Sequence, residues 1–190
     1  MASKAPSNQH TILRRQLAKA LSTYEHPNLL LAVDEKDISK WCFLVSGLPT
    51  PFAGGEYIME VVAREGYPIE PPEAFLKTKN GVFMPDTDIC VSIGKYHADD
   101  KSADGAMGWR PAMGILGFAQ EMVNGLLNYK ELGHGIGLHI ATEREIKAYA
   151  AASRRANAKH PLHDTFETII ATGPADKEPY KTLRNARGLP

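Results

Sequence analysis

Cys90 is the residue on which the chemistry of this chain turns. It lies in the stretch TKNGVFMPDTDICVSIGKYHADDKSADGAMGW, from Thr78 to Trp109, between Ile89 and Val91 and ten residues after Asn80. Only two cysteines occur in 190 residues. A thiolate attacks acyl carbons readily, and a cysteine at the edge of a polar loop can be reached by a partner while nearby amides stabilise its charge. A buried cysteine acting as a small apolar residue is the commoner case, so the surrounding sequence has to decide. Asn80 could donate its amide to an oxyanion formed at Cys90. Followed by Gly81, it could equally be a plain turn. A Cys/His hydrolase built from Cys90 and one of the seven histidines would use the same thiol, but no protease signature accompanies it. Zinc at His134 and His139 lacks thiol ligands at a suitable spacing, and no metal is expected.

The composition bounds the rest. A chain of 190 residues with 43% hydrophobic content can bury one proper core. Its 22 basic and 22 acidic side chains cancel, which gives no global field to attract nucleic acid or an anionic membrane. Recognition should therefore be local. Cys42 and Cys90 alone cannot form a disulfide framework, which fits a reducing compartment. The opening MASKAPSNQH has no apolar core of a signal peptide, and no run reaches the roughly 18 apolar residues of a membrane span.

Several elements must position Cys90. Residues 1–10 read as a flexible lead-in, 11–170 as the catalytic core and 171–190, with Gly173-Pro174, Pro179 and Gly188, as a flexible tail. Ile12, Leu13, Leu17, Ala20 and Leu21 recur at helical spacing, with Arg14, Arg15 and Lys19 on other faces. Leu29–Val33, Trp41–Val45, Tyr57–Val62 and Ala74–Lys77 read as four strands. Turn formers separate them: Asp34–Asp37, the segment from Gly47 to Gly55, and Gly66-Tyr67-Pro68 with Pro71-Pro72. Strands joined this closely make an antiparallel meander, so the fold class is α+β. From Asn80 to Gly108 no period persists beyond a short apolar run at Ile89–Ile93, and a long irregular stretch inside a compact domain is usually functional. After Pro111, Ile115, Ala119, Met122, Val123, Leu126 and Leu127 form the stripe of a central helix. Gly133–Gly137 reads as a flexible link. Thr142 with Glu145 is a capping box opening an alanine-rich helix to about Asn157, stopped by His160-Pro161, with a short helical piece at Leu162–Ile170.

This order resembles the ubiquitin-conjugating enzymes, and particular residues carry the resemblance. Trp41, Gly47 and then Thr50-Pro51-Phe52-Ala53-Gly54-Gly55-Glu56-Tyr57 resemble the family's tryptophan strand and its threonine-proline-aromatic-x-glycine-glycine turn. Tyr67-Pro68-Ile69-Glu70-Pro71-Pro72 resembles its tyrosine-proline and proline-proline segment. Trp109-Arg110-Pro111-Ala112 and the helix ending Leu126-Leu127-Asn128 resemble the tryptophan after the catalytic cysteine and the helix that follows it. These segments stand in the right order over about residues 11–128, far more specific than any one alone. Within the family the resemblance is to the usually tail-anchored branch of endoplasmic-reticulum-associated degradation. Asn80-Gly81-Val82-Phe83, Thr87, Cys90-Val91-Ser92-Ile93 and Tyr96-His97 are similar to it. Two features depart from the pattern. Thr78-Lys79-Asn80 keeps only the asparagine of the family's histidine-proline-asparagine. Trp109 follows Cys90 by 19 positions, longer than in this branch, and this insertion, with Asp99, Asp100 and Asp104, resembles the acidic loop of another, chain-building branch.

The resemblance implies that Cys90 accepts ubiquitin as a thioester from the ubiquitin-activating enzyme and passes it to a lysine of a protein substrate. Asn80 would assist, directly or by ordering its loop. His97 and His134 are candidates by sequence position for helping the lysine lose its proton, against the commoner reading of each as a surface histidine, while Asp99 and Asp100 read as solvated loop charges. No cofactor is implied, since ATP is used by the activating enzyme. Ile69, Pro111 and Ala112 match the family's surface for a ubiquitin ligase, and Arg14 would add charge from the first helix. No nucleic acid is implied as a partner. The expected location is cytoplasmic, or the cytosolic face of the endoplasmic reticulum where a tail anchor has been removed. Two rival readings stay open: a non-catalytic scaffold of the same fold, and a conjugating enzyme for another ubiquitin-like modifier.

Overall fold

The computed structural model describes residues 8–23, 26–33, 36–89, 108–133 and 135–189. Helix α1 (Asn8–Thr23) begins four residues before the apolar period does, because Asn8, Gln9, His10 and Thr11 are polar and carry no periodic signal. Leu13 and Ala20 are buried on its inner face with Leu17 partly so, whereas Leu21 points into solvent. Strands β1 (Leu29–Val33), β2 (Lys40–Val45), β3 (Tyr57–Val62) and β4 (Glu73–Leu76) follow, nearly as read from the turn residues. They form one antiparallel sheet in the order β1-β2-β3-β4, with Trp41 opposite Val61 and Phe43 opposite Met59.

Both faces of this sheet are covered. Side chains alternate along a strand, so Trp41, Phe43, Val45, Tyr57, Met59 and Val61 share one face. They pack in one core with Leu13 of α1, with Ile115, Phe118, Met122 and Val123 of α2 (Gly114–Leu127), and with Ile146 of α3 (Glu143–Asn157). A 3₁₀ turn at Pro111–Met113 leads into α2, and that helix buries the expected stripe except Leu127, which is 41% exposed. Thr142 caps α3 with the reciprocal bonds to Glu145 that the sequence predicts.

The opposite face carries Leu30, Ala32, Cys42, Leu44 and Ile58. Helix α4 (His163–Thr172) contributes Phe166 and Ile170 to it, and α5 (Tyr180–Arg187) contributes Leu183. This corrects the expectation of a flexible tail over 171–190. Tyr180, Leu183 and Arg187 return at helical spacing, Leu183 is fully buried, and the Arg187 guanidinium bonds Glu56 at 2.7 and 2.8 Å and Glu167 at 2.8 Å. The prolines and glycines that suggested disorder bound this helix rather than interrupt it. The segment read as a flexible link is likewise held in part. Its last residue, Gly137, opens a stretch to Ala141 that runs antiparallel to Gly81–Met84, with Phe83 bridged to Leu138. No described helix is long and apolar enough to cross a membrane.

Candidate active site

The loop that leaves β4 is built around Asn80. Its side chain is 0% exposed, and every polar valence of the amide is taken by the loop's own backbone. Oδ1 accepts the N–H groups of Val82 at 2.9 Å and Phe83 at 2.8 Å, and Nδ2 donates to the carbonyls of Thr78 at 3.1 Å and Phe83 at 3.2 Å. A short polar side chain is suited to this because it can reach backbone groups two and three residues away. Gly81, at φ 84°, supplies the reversal and packs under Ile146 and Tyr149 of α3.

Thr78 anchors the entrance to this loop. Its hydroxyl accepts the Ile58 N–H at 2.9 Å and donates to Asn157 Oδ1 at 2.6 Å. Asn157 Nδ2 donates in turn to the Glu56 carbonyl at 2.8 Å, and the Glu56 N–H donates to Ser153 Oγ at 2.9 Å. Thr78 is therefore a buried, fully engaged threonine. Lys79 stands outside, its ammonium 4.3 Å above the Tyr149 ring, a cation–π contact. Lys79, Phe83, Met84, His139 and Tyr149 line a cleft of about 310 Å³ beside the loop. Beyond Met84 the chain is tied back to the sheet by the Asp86 N–H on the Leu76 carbonyl at 3.0 Å and by Lys77 on Asp86 at 2.7 Å. It is described as far as Ile89, which is buried in the core.

Cys90 lies outside the described residues, as do His97, Asp99, Asp100, Asp104 and His134. The other cysteine, Cys42, behaves as the small apolar residue that Cys90 was weighed against. Burial, reinforced by Glu60, pushes its thiol up to about 12, so it carries no thiolate at neutral pH.

Three of the four residues expected from the sequence to face a partner lie on two turns that Trp109 joins. Ile69 is 84% exposed in the turn between β3 and β4, and Pro111 and Ala112 are exposed in the 3₁₀ turn. Trp109 joins the two turns: its Nε1 donates to the Pro68 carbonyl at 2.8 Å, and its ring meets Tyr67 at 5.9 Å and Phe118 at 6.0 Å. Tyr67 donates at 2.6 Å to Gln16 Oε1, which also accepts the Ile115 N–H at 3.4 Å. Burial raises the Tyr67 hydroxyl above its ordinary range against the opposing effect of the Gln16 bond. Arg14 is exposed on α1 and shares only the helix with this cluster. Sequence reasoning missed Gln16, although one signal marks it: a polar side chain on the buried stripe Leu13, Gln16, Leu17, Ala20.

No family model matches the chain. It is 29% identical over 142 residues to ubiquitin-conjugating enzyme E2 6 of Eremothecium gossypii, covering 74% of this chain and 54% of that one. It is 30% identical over 137 residues to ubiquitin-conjugating enzyme E2 J2 of Mus musculus, covering 70% and 48%. The chain spans about half the length of the curated relatives it matches. Among solved structures, human ubiquitin-conjugating enzyme E2 G1 superposes with a TM-score of 0.52 at 21% identity, covering 66% of this chain and 99% of that one. The chain thus has the fold of a ubiquitin-conjugating enzyme and is similar in sequence to relatives named E2 6 and E2 J2.

Proposed function

We propose that the chain is a ubiquitin-conjugating enzyme that carries ubiquitin on Cys90. The Cys90 thiolate attacks the thioester carbonyl presented by the ubiquitin-activating enzyme, and the activating enzyme's thiolate leaves. A deprotonated substrate lysine then attacks the new thioester, the C–N bond forms and the Cys90 thiolate departs. Each attack builds an oxyanion, which fixed dipoles stabilise. ATP is spent upstream, and this chain needs no cofactor for either step. Ile69, Pro111 and Ala112 form the surface offered to a ubiquitin ligase, and Arg14 adds charge separately from α1. Work in endoplasmic-reticulum-associated degradation follows from the likeness to E2 6 and E2 J2 and from the Asn80-Gly81-Val82-Phe83 segment.

The observation that carries this reading is the Asn80 turn. On the fold of a ubiquitin-conjugating enzyme, the chain between β4 and Cys90 passes through a loop whose asparagine bonds only to that loop. The amide is thereby occupied. Asn80 serves the chemistry by fixing the loop rather than as a free oxyanion donor.

The test is a non-reducing gel of the protein with activating enzyme, ubiquitin and ATP, run beside Cys90→Ala. A thiol-sensitive band heavier by one ubiquitin, absent in the variant, is the expected result. A folded protein that forms no such band, or a variant that retains it, overturns the reading. A band with another ubiquitin-like modifier in its place would redirect it to that modifier.

A further inference from the structure

We propose that Gly137 is a positioning residue for Cys90: the missing side chain at 137 lets the main chain that enters the nucleophile take its place. The inference rests on the reading of Cys90 given above. Gly137 has φ 77°, a conformation that residues with a β-carbon rarely adopt. Its carbonyl accepts the Met84 N–H at 2.8 Å, and the bonds of His139 N–H to Val82 O at 2.9 Å and Ala141 N–H to Gly81 O at 2.8 Å hold the following residues to the Asn80 loop. Its α-carbon faces the other way, toward the segment that runs into Cys90. A β-carbon there would lie 3.0 Å from the Asp88 carbonyl oxygen and 3.3 Å from the Ile89 α-carbon.

Both of those atoms are backbone, so neither can rotate out of the way. Ile89 is 3% exposed and packed in the core, which limits its retreat. Gly137 cannot withdraw either without stretching its bond to Met84. A side chain at 137 must therefore displace the main chain one residue before Cys90, by a few tenths of an ångström. An error of about 1 Å in the placement of a reacting group can cost on the order of a hundredfold in rate, so a displacement of this size should cost about tenfold.

Gly54 supplies the control. It has the same φ of 77°, yet no atom lies within 4 Å of the position its β-carbon would take. Gly137→Ala and Gly54→Ala impose similar backbone strain, and only the first pushes on the approach to Cys90. In the full chain, Gly54→Ala should melt below wild type through backbone strain alone, and Gly137→Ala lower still, since it adds the contact with core backbone. In transfer from the charged activating enzyme, Gly137→Ala should lower kcat about tenfold with KM within about twofold of wild type, while Gly54→Ala leaves both within about twofold. Iodoacetamide should alkylate Cys90 with an altered rate–pH profile in Gly137→Ala alone. Cys42 stays silent, because burial suppresses its thiolate. If Gly137→Ala does not fold, Gly137→Asn presents the same β-carbon at lower backbone cost and is read the same way. Equal kinetics and equal alkylation for the position-137 variant and Gly54→Ala overturn the proposal. If wild type forms no thioester, the reading of Cys90 as a ubiquitin carrier fails instead, and the alkylation profiles still report on the contact.

Discussion

The two faces of the sheet are closed by different means. The face that carries Trp41, Phe43, Tyr57 and Met59 is sealed by apolar area from α1, α2 and α3, and the Asn80 loop grows from its β4 edge. The fully buried Asn80 amide bonds only to backbone two and three residues away. The face that carries Leu30, Cys42, Leu44 and Ile58 is sealed by a smaller cluster from α4 and α5. Long-range charge finishes it: Arg187 reaches Glu56, 131 residues away, and Glu167, 20 residues away. The first face should therefore hold the site by itself, while the second should contribute stability that the site does not sense.

The largest expected effect breaks the second face. The Arg187 side chain is 3% exposed and that of Glu56 is 7% exposed. Burial opposes the guanidinium's charge, but the bonds to Glu56 and Glu167 outweigh it and hold Arg187 above its ordinary range. Arg187→Leu leaves Glu56 buried without its cation and should cost about 3–5 kcal/mol in denaturant unfolding. Adding Glu56→Gln should restore part of that. Thioester formation should persist wherever the variant is folded. A loss below roughly 1 kcal/mol would mean that apolar contact alone holds the helix pair.

A somewhat smaller effect on stability, coupled to activity, is expected at Asn80. Asn80→Ala strands the Val82 and Phe83 N–H groups and the Thr78 and Phe83 carbonyls, a cost of about 2–4 kcal/mol. Thioester formation should slow with it, unlike in Arg187→Leu. Slowed chemistry at unchanged stability would instead make Asn80 a direct donor to the oxyanion.

The same contrast explains what could be read in advance. Strands β1 and β3 follow their apolar runs because both sheet faces are buried and turn residues bound each run. Asn80, Cys90, Ile69 and Pro111 sit in contiguous motifs, where local order carries the signal. Gln16 and Arg187 act through partners 51 and 131 residues away; a polar side chain on an apolar stripe makes Gln16 stand out locally, but nothing local names the distant partner that either one meets. Gly137 is marked only by the sign of φ and by the chain it faces, neither of which a glycine among glycines discloses. Helix α5 was hidden by the prolines and glycines around it, since its buried contribution is little more than Leu183 and Arg187.

The smallest expected effect sharpens the comparison through pH. His160 sits between α3 and α4, on the wall of a cavity of about 460 Å³ shared with Cys42 and Glu60 on the second face. Burial lowers its pKa from the ordinary 6.5; Glu60 and Asp86 pull it up, and Lys77 and Lys40 push it down. Its Nδ1 accepts the Leu162 N–H at 3.2 Å, which a protonated ring could not do. Well above pH 6.5 the ring is neutral in both the folded and unfolded chain, and the shift has no effect on stability. Below 6.5 the unfolded chain takes up the proton first, so stability falls as pH drops from 6.5 toward the folded value. His160→Asn keeps an acceptor for Leu162 and removes the titration. Its melting temperature should fall less than that of wild type between pH 7.5 and 5.5, measured with all other conditions fixed. His26, also lowered by burial and accepting the Asn28 N–H at 3.1 Å, remains in both proteins and cancels in the difference. Identical falls would remove His160 as a source of acid sensitivity. A smaller fall in the variant, with thioester formation unchanged at pH 7.5, would show the second face loosening on its own while the Asn80 side of the sheet stays intact.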